Sequence, residues 1–195
     1  MIAIIDYQAG NIASVKNALE RLGQACVITS ESKEILSADG VIFPGQGRAG
    51  AAMAALRKAG LDKIIPKITK PFLGICLGLQ LLGLSSEEDQ TKCFGIFPGK
   101  CRRFPPTLKT PHLGWNKVFL GKKSPLTMSI PDGSYFYFAH SYYLDGLDGE
   151  VVGKTSYGVD VPSIIQKDNF FAVQFHPEKS GEPGLRLLNN FCELC

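Results

Sequence analysis

Residues 71–82 read Pro71-Phe72-Leu73-Gly74-Ile75-Cys76-Leu77-Gly78-Leu79-Gln80-Leu81-Leu82. The apolar run Phe72–Ile75 reads as a short buried strand, and Leu77–Leu84 as a helix. Between them stands Cys76, with Gly74 and Gly78 on either side. A sharp strand-to-helix turn brings backbone segments so close that a Cβ at either flank would clash, so such a turn calls for glycine. The pattern G-x-C-x-G is the thiol form of a nucleophile elbow. It sets the sulfur at the carboxyl end of a sheet and at a helix N-terminus, where the dipole and the free N–H groups favour a thiolate. The competing reading, a structural cysteine in an ordinary turn, leaves the paired glycines and a distant histidine unexplained.

Upstream of this stretch, strand and helix alternate. Ile2–Ile5 reads as a strand. Asn11 caps a helix over Ile12–Leu22, with apolar positions 12, 15, 18, 19 and 22 on one face and Gly23 as the stop. Ala25–Ile28 and Gly40–Phe43 read as strands, and Gly50–Ala59 as an Ala-rich helix. Repeated strand–helix–strand units imply an α/β fold: an open, mostly parallel, doubly wound sheet with helices on both faces. Ligands bind such sheets beyond the carboxyl ends of the strands. Three loops lie there: Asp6 to Asn11, Pro44-Gly45-Gln46-Gly47, and Cys76 itself. Two glycines in the second would let backbone N–H groups approach a developing oxyanion; the alternative is a plain tight turn. It is not a phosphate-binding P-loop, because the G-K-[ST] ending is missing.

Downstream, over residues 86–170, prolines, glycines and aromatics become frequent, as in Pro111-His-Leu-Gly-Trp-Asn116 and Tyr135-Phe-Tyr-Phe-Ala-His140-Ser-Tyr-Tyr143. Tyr135–Phe138 has strong β propensity. This section reads as antiparallel strands added to the parallel sheet. Asn169–Phe175 reads as a last strand ending in His176-Pro177-Glu178, and Pro183–Leu194 as a closing helix. No linker or repeat divides the chain, so residues 1–195 are expected to form one domain.

The bulk numbers exclude several classes. With 45% hydrophobic and 20% charged residues and a net charge of +3, the composition is globular. No apolar run approaches a membrane span. The N-terminus lacks a basic region and a cleavage site, so a cytoplasmic protein is expected. The densest basic cluster, Lys100, Arg102 and Arg103, comes with no nucleic-acid motif. The six cysteines include Cys192-x-x-Cys195, but no second pair or nearby histidine completes a zinc site. No metal or cofactor is expected.

A thiol nucleophile needs a base, and the chain has three histidines, 112, 140 and 176. His176 stands at the carboxyl end of the last strand, the functional edge of such a sheet. Glu178, two residues on, is in reach to orient the imidazole and stabilise the imidazolium. His112 and His140 read as structural or as walls of the substrate site. A metal site built from Cys, His and Glu would need further ligands.

Gly74-Ile-Cys76-Leu-Gly78-Leu-Gln80 together with Phe175-His176-Pro-Glu178 resembles the class I (triad) glutamine amidotransferase family. Asp6-Tyr7 with Gly10-Asn11, Pro44–Gly47, Pro111–Asn116, His140-Ser-Tyr142 and Gln174–Ser180 resemble, within it, the branch formed by the glutaminase subunits of imidazole glycerol phosphate synthase. The likeness runs nearly the whole length, in order.

The resemblance implies a set of roles. Cys76 would attack the carboxamide of glutamine, His176 would protonate the leaving ammonia and later activate water, and Glu178 would orient His176. The backbone N–H groups of Leu77 and Gln46 would form the oxyanion hole. Gly47, Gln80, Ser141 and Tyr142 would hold the substrate. Asn11, Tyr137 and Lys179 would lie at the interface with a β/α-barrel cyclase subunit that receives the ammonia within a heterodimer. The chain departs from the family pattern at Gln46, where a β-branched residue is frequent. A triad alone fits any acyl transfer, so a free-standing thiol hydrolase on the same scaffold and a paralogous amidation pathway are the rival readings. A silent flavodoxin-like binding module fits the triad less well.

Overall fold

The computed structural model describes residues 1–7 and 11–195; Gly10, part of the first loop, lies outside the described residues. Five short strands form the parallel half of the sheet: β1 (Ile2–Ile5), β2 (Cys26–Thr29), β3 (Gly40–Phe43), β4 (Phe72–Ile75) and, far along the chain, β13 (Phe170–Val173). Intervening helices are α1 (Ile12–Arg21), α2 (Ser32–Ser37), α3 (Ala49–Lys58) and α4 (Leu77–Leu81), and α5 (Gly181–Cys192) closes the chain. The remaining strands are β5 (Ser85–Ser86), β6 (Thr91–Lys92), β7 (Lys100–Arg103), β8 (His112–Leu120), β9 (Ser134–His140), β10 (Tyr142–Asp145), β11 (Val151–Ser156) and β12 (Asp160–Lys167).

The main sheet has the order β2-β1-β3-β4-β13-β12-β11-β8-β9. It is parallel from β2 to β13 and antiparallel from there to β9. The antiparallel section thus extends the sheet, as expected, but part of it separates: β10, β7, β5 and β6 form a second four-stranded sheet.

Apart from the edge strand β2, the parallel strands are buried on both faces, and alternate residues feed two cores. Ile4, Ile42, Leu73 and Val173 pack with Val15 and Leu19 of α1 and Leu187, Leu188 and Phe191 of α5. Ile5, Val41, Phe43 and Phe72 pack on the other side with Ile35 of α2 and Met53 and Leu56 of α3. Among the described residues no helix is long and apolar enough to cross a membrane.

Several expected boundaries move, and one helix is unforeseen. The helix after Cys76 stops at Leu81 rather than Leu84. The last strand of the parallel set ends at Val173, so Gln174 and Phe175 lie beyond the ladder, Gln174 reaching Cys76 and Phe175 packing into the core against Phe136. Helix α5 begins at Gly181, two residues before Pro183. Helix α2, six residues with only Ile35 buried, is too short to show a helical period and is absent from the sequence reading. Asn11 also departs from its expected job. It stands at the N-cap of α1 but in the left-handed region (φ 74°, ψ 2°), and its side chain makes no capping bond.

Candidate active site

The carboxyl ends of β1, β3, β4 and β13 converge, and each delivers one part of the site. At the end of β4 the chain turns so sharply that Cys76 sits at φ 54°, ψ −105°. A non-glycine residue holds such a conformation only where its surroundings enforce it. The enforcement is visible at both glycines. A Cβ on Gly78 would lie 1.9 Å from the carbonyl oxygen of Phe43, and one on Gly74 would lie 3.1 Å from the backbone of Gly78 and Leu79. Strand β3 and the first turn of α4 therefore press together over the elbow. Cys76 is 5% exposed, and its N–H bonds the Val173 carbonyl at 2.8 Å, tying the candidate nucleophile to β13.

Beyond β13 the chain supplies the candidate base. His176 Nδ1 and Glu178 Oε1 are 2.9 Å apart in a buried pair. Burial pushes His176 down, but the charge of Cys76 beside it and hydrogen bonds to Cys76 and Glu178 outweigh that, and its pKa rises to about 10. The imidazole is thus held as imidazolium facing the sulfur. Asn11, whose side chain is released from capping, donates its amide to Glu178 Oε1 and lies 3.4 Å from His176 Nδ1. The expected triad residues are brought together, and Asn11 joins them from behind.

A titration tests this pairing. Burial, the leading cause for both, lowers His112 to about 4 and His140 to about 3. Of the three histidines, only His176 is therefore expected to titrate on the alkaline side, losing its proton as pH rises through about 10. In Cys76→Ala the raising charge is gone and the midpoint moves down, as followed by the imidazole C2-proton NMR shift. An unchanged midpoint would contradict a Cys76–His176 pair.

In front of Cys76 lies a cleft of about 210 Å³. Seven residues singled out in the sequence line it with Cys76: Gln46, Gly47, Leu77, Gln80, His140, Ser141 and Tyr142. A larger hollow of about 680 Å³ at Leu120–Met128 holds none of these groups, so size does not mark the site. Asn11, Tyr137 and Lys179 do not line the cleft. They gather around His176 instead: its N–H bonds the Tyr137 carbonyl at 2.9 Å, and the Lys179 N–H bonds its carbonyl at 3.1 Å.

Two functional candidates escaped the sequence reading. Gln174, fully buried, donates from Nε2 toward Cys76 Sγ at 3.8 Å and accepts from Gln80 Nε2 at 3.3 Å. Glu88 lines the cleft and accepts the Ala49 N–H at 2.7 Å, pinning the chain that follows Gly47. Its neighbour Asp89 accepts from Arg48, with one bond at 3.2 Å. Both candidates act across long separations in sequence; Gln174 stands at the head of the Gln174–Ser180 stretch, but no local pattern announces its role or that of Glu88. Under the Pro44–Gly47 loop the phenol of Tyr7 is buried without a hydrogen-bond partner among the described residues. Burial, and then Cys76, raise its pKa, so it stays neutral. Among the described residues no group of three or more His, Cys, Asp and Glu is placed to hold a metal ion.

Residues 3–194 match the model of the family "Glutamine amidotransferase class-I". Among curated proteins, the chain is 48% identical over 206 residues to "Imidazole glycerol phosphate synthase subunit HisH" of Desulfovibrio desulfuricans, covering 100% of this chain and 95% of the relative. It is 49% identical over 198 residues to the protein of that name from Methanocaldococcus jannaschii, covering 100% of both. Among solved structures, PurLQS from Thermotoga maritima superposes with a TM-score of 0.77 at 19% identity, covering 98% of this chain and 97% of that one. At that identity the structural likeness establishes the fold.

Proposed function

The chain belongs to the class-I glutamine amidotransferase family and, within it, stands with the glutaminase subunits of imidazole glycerol phosphate synthase; from that premise we propose that all of residues 1–195 act as one glutaminase domain. It hydrolyses L-glutamine to glutamate and ammonia and passes the ammonia to a cyclase subunit. That partner, joined to it as a heterodimer, forms imidazole glycerol phosphate and aminoimidazole carboxamide ribotide in histidine biosynthesis. The observation that carries the chemistry is Cys76, held in a strained elbow at the floor of a small polar cleft with the His176–Glu178 pair behind it.

The steps follow from the geometry. The Cys76 thiolate attacks the carboxamide carbon, and the carbonyl electrons move to oxygen. The N–H of Leu77, free by its place in the first turn of α4, and that of Gln46 receive this oxyanion. Collapse expels ammonia as His176 gives its proton to the leaving nitrogen, and a thioester remains. His176 then takes a proton from water, which attacks the thioester and releases glutamate. Glu178 and Asn11 keep the imidazole aligned throughout. Gly47, Gln80, Ser141 and Tyr142 bind the substrate, and Glu88 supplies a carboxylate for its ammonium group. Asn11, Tyr137 and Lys179, clustered on the side of His176 away from the cleft, mark the edge where the partner receives ammonia.

The experiment is reconstitution with the cyclase partner in a buffer of unlabelled ammonium, using glutamine labelled with ¹⁵N in the side-chain amide. The expected product carries the label in its imidazole ring. Product labelled only in proportion to the bulk ammonium pool would overturn the transfer, and absence of glutamine hydrolysis would overturn the function.

A further inference from the structure

His112 and His140 face each other across β8 and β9, in direct register. The mechanism uses neither, yet both are buried and wholly engaged. His140 Nδ1 lies 2.8 Å from the Tyr142 carbonyl oxygen, which can only accept, so that nitrogen carries a proton. Asn116 fixes the other end. Its Oδ1 accepts the Lys117 N–H at 2.8 Å and its Nδ2 donates to the Ser156 carbonyl at 3.1 Å. The amide nitrogen is therefore the group 3.3 Å from His112 Nε2, and that ring nitrogen must be bare to accept from it. Between the rings, His112 Nδ1 and His140 Nε2 are 3.1 Å apart and share one proton. Counting donors leaves a single arrangement: each ring carries one proton, on Nδ1, and both are neutral. Burial lowers the pKa of each, in agreement.

The far end of this relay meets the site. The Tyr142 carbonyl accepts a second bond, from Gln80 Nε2 at 2.8 Å, on the helix that starts directly after Cys76. One carbonyl thereby joins the elbow to the β8–β9 pair. Ser141 and Tyr142, which lead up to this carbonyl, line the cleft. Stacking of His112 between Phe138, at 4.7 Å, and Tyr157, at 4.0 Å, leaves its ring no freedom to turn.

We propose that the His112–His140 pair is a positioning element for substrate: an uncharged two-histidine relay that holds the Tyr142 carbonyl, and with it the Ser141–Tyr142 wall, at a set distance from the Cys76 elbow. The part that concerns glutamine rests on the glutaminase function. His112 is the informative position, since it does not line the cleft.

The test has two arms. In the full chain labelled with ¹⁵N-histidine, long-range ¹H–¹⁵N spectra at neutral pH are expected to show His112 and His140 both protonated on Nδ1 and bare on Nε2. A proton on Nε2 of either ring overturns the relay. This arm needs neither a variant nor a substrate. In the second arm, His112→Phe keeps a stacked ring but removes the donor, and His112→Asn returns an amide N–H near the place of Nδ1. With the cyclase partner present, His112→Phe is expected to raise KM for glutamine roughly tenfold with kcat within about threefold, and His140 loses its fixed tautomer. His112→Asn is expected to restore KM. Equal KM in wild type and folded His112→Phe, or equal losses in both variants, overturns the positioning role. Wild-type complex that fails to hydrolyse glutamine overturns the glutaminase function instead and leaves the proton assignment standing.

Discussion

Cys76→Ala is expected to lower glutamine hydrolysis by at least about 10⁴-fold while leaving the fold in place. The activity loss follows because no other thiol lines the cleft where the carboxamide must sit; the remaining lining groups can bind and polarise it but cannot form a thioester. The fold survives because the strained backbone at position 76 is enforced from outside. The contact between Gly78 and the Phe43 carbonyl, and the bond from the residue 76 N–H to Val173, do not involve the sulfur. The side chain contributes weak contacts with Gln174 at 3.8 Å and the Ala139 carbonyl at 3.9 Å and a pairing with His176, which can shed its proton once the sulfur is gone, so the stability cost is on the order of 1 kcal/mol. Circular dichroism, thermal unfolding and a coupled glutamate assay check both halves. Turnover near that of wild type would remove Cys76 from the mechanism.

The second large effect concerns the partner. Hydrolysis by the isolated chain is expected to be slow and to rise on the order of 10²–10³-fold in the proposed heterodimer, the value of one oxyanion donor. The reason lies in the Pro44–Gly47 loop. Its far end is pinned, since Glu88 holds the Ala49 N–H and Asp89 holds Arg48. Its Gln46–Gly47 part is exposed and forms a thin wall between two hollows, the substrate cleft and a second cavity of about 260 Å³ over Tyr7 and α3. Gly47, at φ 100°, has no atom of the described residues within 4 Å of where a Cβ would stand, so the peptide between Gln46 and Gly47 has room to turn among them. A partner that settles this loop with an N–H toward the cleft completes the oxyanion hole. Rates of glutamine hydrolysis with and without the nucleotide-bound cyclase partner decide it, and full activity of the isolated chain would contradict it.

Much of the site is legible from neighbours in sequence. Gly74, Cys76 and Gly78 announce a turn that excludes side chains, and a His two residues before a Glu at a strand end announces a base with its orienting group. The parallel sheet is equally plain, because strands buried on both faces must be apolar throughout. Asn11 shows where such reading stops. An asparagine before an amphipathic helix is a sound capping signal, yet here its amide serves Glu178, 167 positions away. Glu88 carries no signal at all, and Gln174 figures only as the first residue of a stretch of family resemblance, since each matters for what the fold sets beside it.

Local sterics and periodicity thus settle what a short window contains: strands, the elbow, the spacing of base and carboxylate. The window at 71–82 marks its candidate nucleophile because part of the glycine requirement is local, a Cβ on Gly74 meeting Gly78 and Leu79, whereas the clash that forbids a Cβ on Gly78 comes from Phe43 on a neighbouring strand. Register and protonation are different in kind. Which histidine stays neutral and which is held as imidazolium depends on what lies across a strand pair or beyond a sheet edge. His112 opposite His140 loses charge to burial, whereas His176 beside Cys76 and Glu178 keeps it. Electrostatic energy depends on distance through space, and in this chain only the folded structure sets that distance.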